Sequence, residues 1–356
     1  MLPTLLKLEC VVFFALFSLS ACQVQSQSNC RPAPPLPAHP KPAVNGLTLS
    51  SDGKTLVVAG GDAKIRFVDL ATGTVQRTFE GHTNAVYGSV FSPTEKLLVS
   101  SSRDTARIWD VSSGHELWKV EGFRCPAKAA IFSPDGHLLA VAGNDGIVKL
   151  YDVTSRKELR SMVHANAAST DISVYALAFS RDGQSIYAAN GDGTISEWGT
   201  SSGRETRTWK AHDHTTLKLA FSPDYILLAS FGDSVVKLWD TKTWREVRSL
   251  SMVREAQVAA LPSALAFSKD GKLIAASDIG IDQKQGTYSY VQALVWSVDT
   301  GSKLFTIEGH KFDINGLVFT DDNRFLLTGS VDTTIKSWDM KTGQLSKTFI
   351  MPTNTN

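Results

Sequence analysis

A repeat limits the possible folds of this chain more than any other sequence feature, because equivalent positions recur mostly every 41 to 47 residues. One unit spans residues 81–120 and another spans residues 309–349. Each unit holds an alternating strand ending in Phe, a turn, a second strand, an Asp-containing turn, a third strand ending in Trp-Asp, a turn with Gly and a fourth strand. Four short strands joined by tight turns predict one small antiparallel sheet per unit.

Seven such units follow one another. One apolar position ends the first strand of each unit, and a second lies in the third strand. The first position holds Leu49, Phe91, Phe132, Phe179, Phe221, Phe267 and Phe319, and the second holds Val68, Trp109, Tyr151, Trp198, Trp239, Trp296 and Trp338. Each sheet has two apolar faces that only neighbouring sheets can cover, so radial stacking is favoured. The sequence therefore predicts an all-β fold, a seven-bladed β-propeller of four-stranded antiparallel blades.

The two ends of the ring are expected to meet without exchanging a strand. The residues before Ala43 are rich in proline, which removes the backbone donor that a β ladder needs. Residues 344–350 can supply the fourth strand of the seventh blade. We therefore predict that no strand is shared between the termini, that residues 43–350 form the propeller, and that residues 351–356 are a disordered tail.

Recurring dipeptides give the repeat a family resemblance. Gly81-His82 and Gly309-His310 open two units, and Trp-Asp pairs stand at 109–110, 239–240 and 338–339. At these residues the chain resembles the WD-repeat β-propellers, over residues 43–350. The resemblance implies a hydrogen-bonded cluster of His, Asp, a hydroxyl residue and Trp inside a blade. The matching positions are His82, Asp104 and Trp109; His212, Asp233 and Trp239; and His310, Asp332 and Trp338.

Two alternatives remain for the hydroxyl members of these clusters, namely Ser102, Ser230 and Ser330 or the residues two positions earlier. The other four repeats depart from the pattern and are expected to rely on apolar packing alone. A buried carboxylate is costly unless it is hydrogen-bonded, so these His and Asp residues are interpreted as structural. Their repetition at equivalent positions argues against catalysis, because a catalytic set is needed only once.

The N-terminal residues have the pattern of an export signal. Residues 10–21 are apolar or small, which is short for a transmembrane helix and typical of a signal peptide. The tetrapeptide Leu-Ser-Ala-Cys ending at Cys22 resembles the lipobox of bacterial lipoproteins. That resemblance implies that residues 1–21 are a signal peptide and that Cys22 is the lipidated first residue. Secretion without lipid and a buried helix are the alternatives.

Residues 22–42 are predicted to be an extended, proline-rich tether, with six prolines between positions 32 and 42. The resemblance to lipoproteins implies anchoring in the bacterial cell envelope, facing the periplasm or the outside. Gln23 follows the cysteine where some bacterial lipoproteins carry an Asp that retains them in the inner membrane. The absence of Asp at position 23 favours the outer membrane.

Composition excludes some classes of partner and leaves one question about cysteines. The net charge is +1, so no global field favours nucleic acid. The four cysteines stand at 10, 22, 30 and 125, too few for a fold built on disulfides. In an oxidising compartment Cys30 and Cys125 are candidates for a disulfide, with two free thiols as the alternative.

The residues that open the inner strands form the candidate contact rim. They carry no carboxylate and no histidine, which disfavours a metal site or an acid–base pair there. Tyrosines among neutral residues suit a protein or peptide partner. The set is Asn45, Tyr87, Lys128, Tyr175, Leu217, Ser263 and Asn315, with Arg103 and Arg124 adding positive charge; its candidate binding residues are Tyr87, Arg103, Arg124, Lys128 and Tyr175.

Two insertions, residues 163–172 and 277–290, lengthen the loop into the fourth blade and the turn between the second and third strands of the sixth. Such loops often carry specificity. The second lacks the spacing of a calcium loop. The combined prediction is a non-enzymatic, lipid-anchored scaffold that binds proteins or peptides, with no cofactor. The alternatives are a propeller enzyme of the lactonase or dehydrogenase type, acting at the central channel, and an intracellular scaffold.

Overall fold

Antiparallel strands and tight turns make up every described part of the chain. The computed structural model describes residues 42–352 except 122–125, 165–172, 253–257, 260–263 and 283–286. These residues contain no helix, and they form seven separate antiparallel sheets arranged as a β-propeller. The prediction of an all-β, seven-bladed fold is confirmed.

The strands of each blade are consecutive in sequence and are paired in that order, from the innermost to the outermost. Blades 1 to 3 contain β1 (Val44–Leu49), β2 (Thr55–Gly60), β3 (Ile65–Asp69) and β4 (Val75–Phe79); β5 (Val86–Phe91), β6 (Leu97–Ser102), β7 (Ala106–Asp110) and β8 (Glu116–Lys119); and β9 (Ala127–Phe132), β10 (Leu138–Gly143), β11 (Ile147–Asp152) and β12 (Glu158–Val163). Blades 4 and 5 contain β13 (Val174–Phe179), β14 (Ser185–Asn190), β15 (Thr194–Gly199) and β16 (Glu205–Lys210); and β17 (Thr216–Phe221), β18 (Leu227–Gly232), β19 (Val235–Asp240) and β20 (Glu246–Ser251).

The sixth blade is the irregular one. It contains β21 (Val258–Ala259), β22 (Leu265–Phe267), β23 (Leu273–Asp282), β24 (Thr287–Ser297) and β25 (Lys303–Glu308), and both β21 and β22 pair with β23. The expectation that residues 277–290 fill a turn is wrong for most of that segment. Residues 277–282 and 287–290 instead extend the β23–β24 hairpin, because their backbones continue the ladder.

The seventh blade closes the ring with C-terminal strands alone: β26 (Ile314–Phe319), β27 (Phe325–Ser330), β28 (Thr334–Asp339) and β29 (Leu345–Ile350). Within the described residues no strand from the N-terminal side joins this sheet, so the prediction of unshared strands is confirmed. Closure relies on packing between Val44 and Leu49 of the first blade and Leu327 and Phe349 of the seventh.

The hydrophobic core consists of seven clusters, each of which lies between two neighbouring blades. Trp109, which is 1% exposed, belongs to the cluster between blades 1 and 2. Trp198, also 1% exposed, belongs to the cluster between blades 3 and 4. Apolar side chains on both faces of each sheet are thereby removed from water, which is the main driving force for a repeat fold of this kind.

A β-bulge marks the same place in every completely described inner strand. The pairing register shifts at the second residue of the inner strand. Two residues of the inner strand there lie opposite one residue of the second strand. The bulged residues are Asn45, Tyr87, Lys128, Tyr175, Leu217 and Asn315. We call the side of the ring that carries these bulges, the loops leading into the inner strands and the turns between second and third strands the top face. The opposite side is the bottom face.

Candidate functional site

A polar cluster lies inside the second blade, below the top face. His82 Nδ1 lies 2.7 Å from Asp104 Oδ1, and His82 Nε2 lies 2.6 Å from Ser100 Oγ. Trp109 Nε1 donates to the same Ser100 Oγ at 2.9 Å. The hydroxyl member of this blade is therefore Ser100, two residues before Ser102, which settles the alternative left open by the sequence.

The same geometry recurs in the seventh blade. His310 Nδ1 lies 3.0 Å from Asp332 Oδ2, and His310 Nε2 lies 2.7 Å from Thr328 Oγ1. Trp338 Nε1 donates to Thr328 Oγ1 at 2.9 Å. Thr328 is again the earlier of the two possible hydroxyl residues, because it stands two positions before Ser330 on the same strand.

In the fifth blade the carboxylate has a different partner from the expected one. His212 Nε2 and Trp239 Nε1 both lie 2.9 Å from Ser230 Oγ. Asp233, however, accepts from the backbone N–H of His214 at 3.1 Å and lies 3.2 Å from the His214 ring. The reason is a shorter turn: only two residues separate β18 from β19, and both have positive φ angles.

Electrostatics keeps the clusters in their hydrogen-bonded form. Burial lowers the pKa of His82 more than Asp104 raises it, so the ring is neutral near pH 7. Burial raises the pKa of the Asp104 carboxyl, but the hydrogen bonds from His82, Ser102 and the Thr83 backbone outweigh it and hold that pKa far below its usual range. A neutral imidazole that bridges an ionised carboxylate and a hydroxyl joins the loop leading into the blade to β6 and the β6–β7 turn, which is a structural use of these groups.

The glycine of the Gly-His dipeptide is required for a steric reason. Gly81 has a φ of +147°, and a Cβ at this position would lie 3.1 Å from the Trp109 ring. Only glycine combines this backbone conformation with so close an approach to the indole. Gly309 repeats the arrangement against Trp338.

Two blades that lack the pattern nevertheless contain buried polar clusters, so the expectation of apolar packing alone is wrong for them. In the first blade Arg66 Nη1 donates to Asp62 Oδ1 at 2.9 Å, and the two side chains are 3% and 1% exposed. In the fourth blade His164 Nδ1 lies 3.0 Å from both Glu205 Oε1 and Ser196 Oγ. His164 is the second residue of the insertion into this blade, and its displacement from the usual spacing hid it in the sequence.

The described members of the predicted rim lie on the top face. Tyr87, Lys128 and Tyr175 occupy the bulges of β5, β9 and β13, and all three are partly buried. The Lys128 ammonium lies 4.6 Å from the centre of the Tyr87 ring, a cation–π contact between blades 2 and 3. Arg103 lies in the β6–β7 turn on the same face. Ser263, Arg124, Cys22, Cys30 and Cys125 lie outside the described residues.

A further lysine, which the sequence did not single out, lies beside this rim. Lys218 follows the bulge of β17 in the fifth blade. Burial, together with the charge of Lys128, lowers the pKa of Lys218 to about 8. Burial also lowers the pKa of Lys128, and Arg103 acts in the same direction. A lysine within an otherwise apolar inner strand was the available sequence signal.

The rest of the described residues contains a groove, but neither a metal site nor a membrane-spanning helix. No group of three His, Cys, Asp or Glu side chains in the described ranges has the arrangement of a metal site. No helix within those ranges is long and apolar enough to cross a bilayer. An open groove of about 400 Å³ on the bottom face, between blades 4 and 5, is lined by Tyr187, Phe221, Tyr225 and Trp244.

Comparison with known proteins agrees with the repeat count except in one blade. The family model described as "WD domain, G-beta repeat" matches residues 30–69, 73–110, 113–152, 159–199, 203–240 and 301–339, more than half of the chain. The first match begins inside the predicted tether. Residues 241–300, which include most of the irregular sixth blade, are not matched.

This chain covers very different shares of the curated proteins that it resembles. A serine-threonine kinase receptor-associated protein from Dictyostelium discoideum is 28% identical over 84% of this chain and 96% of its own length. An apoptotic protease-activating factor 1 from Danio rerio is 26% identical over 76% of this chain and 24% of its length. A coronin-7 from Rattus norvegicus is 37% identical over 29% of this chain and 12% of its length. With six matched repeats and seven blades in register, this chain belongs to the WD-repeat family.

Proposed function

We propose that this protein is a non-enzymatic interaction scaffold whose top face binds a protein or peptide partner. The observation that carries the proposal is the set of bulged side chains around the channel mouth. A bulge re-aims the side chain it carries, and here it does so at the same place in successive blades. Tyr87 and Tyr175 provide aromatic surface with a polar end, the type of residue that dominates binding energy at protein interfaces.

The placement of the histidines and aspartates supports a scaffold over an enzyme. The pairs His82–Asp104 and His310–Asp332 each join the loop leading into a blade to a turn of the same blade. Membership of a family with a relative named as receptor-associated supports the same interpretation. Fold does not identify the partner, so the proposal specifies a surface and leaves the partner open.

Site-specific photo-cross-linking tests the binding surface. A photoreactive phenylalanine analogue placed at Tyr87 or Tyr175 is expected to cross-link a discrete partner in cells. The same analogue at Tyr225 is the matched control, because this tyrosine is also partly buried but lines the bottom-face groove. Cross-linking from Tyr225 and from neither top-face position would assign the interaction to the other side of the ring.

We also propose that the scaffold is held in the bacterial cell envelope, in the outer membrane, by a lipid on Cys22. The apolar run at 10–21 and the Leu-Ser-Ala-Cys sequence support this anchor, and the proline-rich residues 32–42 support a spacer. Stable anchoring requires more than one acyl chain.

Metabolic labelling with a palmitate analogue tests the anchor. We expect incorporation into the unmodified protein and into a Cys30→Ser variant, which controls for loss of any cysteine. A Cys22→Ser variant is expected to lose the label and to leave the membrane fraction. A Cys22→Ser protein that stays labelled is incompatible with this anchor.

A further inference from the structure

Three cationic side chains at the mouth of the central channel have no anionic partner among the described residues. Arg103 comes from the β6–β7 turn of blade 2, Lys128 from β9 of blade 3 and Lys218 from β17 of blade 5. Ion pairs of the described residues involve none of the three, and no carboxylate contributes to the pKa of either lysine. The three charges instead act on one another, since Arg103 lowers the pKa of Lys128 and Lys128 lowers that of Lys218.

The two arginines that are buried among the described residues, Arg66 and Arg107, are arranged differently. Arg66 pairs with Asp62, and Arg107 pairs with Asp104 at 3.2 Å. Partly buried like charges without a counter-ion are destabilising, because they lose hydration and repel one another. Such a local cost is commonly retained at a binding site, where a ligand compensates for it.

Resting on the proposed function, we propose that the mouth of the channel, between Lys128 and Lys218, binds a carboxylate side chain on an acidic segment of the partner protein. Each ammonium can donate a charge-assisted hydrogen bond to a carboxylate oxygen. Tyr87 holds the Lys128 ammonium over its ring at 4.6 Å, which positions this charge before the ligand arrives. Tyr175, on the blade between the two lysines, adds a phenol at the same level of the ring.

The distribution of acidic residues favours a peptide carboxylate over a polyanion. Glu121 and Asp213 are exposed in the loops leading into blades 3 and 5. Both carboxylates add negative charge to the top face, which repels an extended phosphate backbone. These carboxylates interrupt the basic surface, and nucleic acids, which need a continuous one, do not fit.

Fluorescence anisotropy with the full chain tests this proposal. The probe is a short labelled peptide of alternating glutamate and glycine with blocked ends, and its matched control has glutamine in place of glutamate. We expect the glutamate peptide to bind at least about tenfold more tightly, as the loss of one charge-assisted hydrogen bond implies. The affinity is expected to fall as salt is added.

Variants locate the binding to the channel. Lys128→Met and Lys218→Met are each expected to weaken binding of the glutamate peptide about tenfold or more. Lys341→Met, in an exposed bottom-face turn, is the matched control and is expected to bind like the unmodified protein. The thermal midpoint of Lys218→Met is expected to stay equal or rise, because an unpaired charge is removed, so weaker binding would not reflect unfolding.

Contrary results separate this proposal from the scaffold function. Equal binding of the glutamine peptide, or binding unaffected by both lysine variants, would overturn the carboxylate site. Binding of inorganic phosphate in preference to the peptide would assign the site to a free anion and would equally overturn it. If cross-linking from Tyr87 and Tyr175 persists in those cases, the scaffold function stands; if cross-linking fails while the peptide binds, the carboxylate site stands without it.

Discussion

A Trp109→Ala protein is expected to lose about 3–5 kcal/mol of unfolding free energy, the usual loss when a large buried aromatic residue is truncated. The indole is 1% exposed, lies 5.7 Å from the Phe79 ring of the first blade and donates to Ser100. Its removal opens a cavity at the interface of two blades and deletes the donor that joins β7 to β6. Urea unfolding followed by circular dichroism measures the loss.

Trp118→Ala is the matched control for this experiment. Trp118 lies on the outer strand β8, is only partly buried and packs against Tyr151 with ring centres 5.1 Å apart. We expect Trp118→Ala to lower the free energy of unfolding by less than half as much as Trp109→Ala. Trp118 is partly exposed, so its truncation removes less buried apolar surface and leaves no closed cavity. Equal losses for the two variants would mean that the inner cluster contributes nothing beyond ordinary burial.

Acid is expected to destabilise the protein through His212 before the carboxylates titrate. Burial, assisted by the charge of Lys237, lowers the pKa of His212 to about 4, whereas an unfolded histidine has its ordinary value of 6.5. Between these values the unfolded chain binds a proton that the folded chain does not. The contribution of His212 is therefore complete above pH 6.5 and is lost as pH falls towards 4, by about 3 kcal/mol in total.

A His212→Gln variant tests this prediction. Its unfolding free energy is expected to fall less steeply than that of the unmodified protein between about pH 7 and pH 4 in urea titrations, whatever its stability at neutral pH. His214→Gln serves as the matched control, because His214 is two residues away but its side chain is 85% exposed. The prediction would fail if both variants kept the full slope of the unmodified protein.

Residues with a strict repeat spacing could be assigned from the sequence, and those without it could not. His82 and His310 stand at the same distance from their inner strands, so the repeat itself indicates their role. His164 was missed because the insertion into blade 4 shifts it away from that spacing. The partner of Asp233 was predicted incorrectly because a turn shortened by one residue re-aims the carboxylate towards His214.

The sequence alone determined the number of blades, the strand order and the apolar positions between the blades. Those features follow from side-chain periodicity and local turns, which each repeat carries within itself. Only the tertiary structure decided that Lys218 joins Arg103 and Lys128 at one opening. Lys218 lies on a different blade from both residues and tens of positions away in sequence, so it comes near them only when the ring closes around its channel.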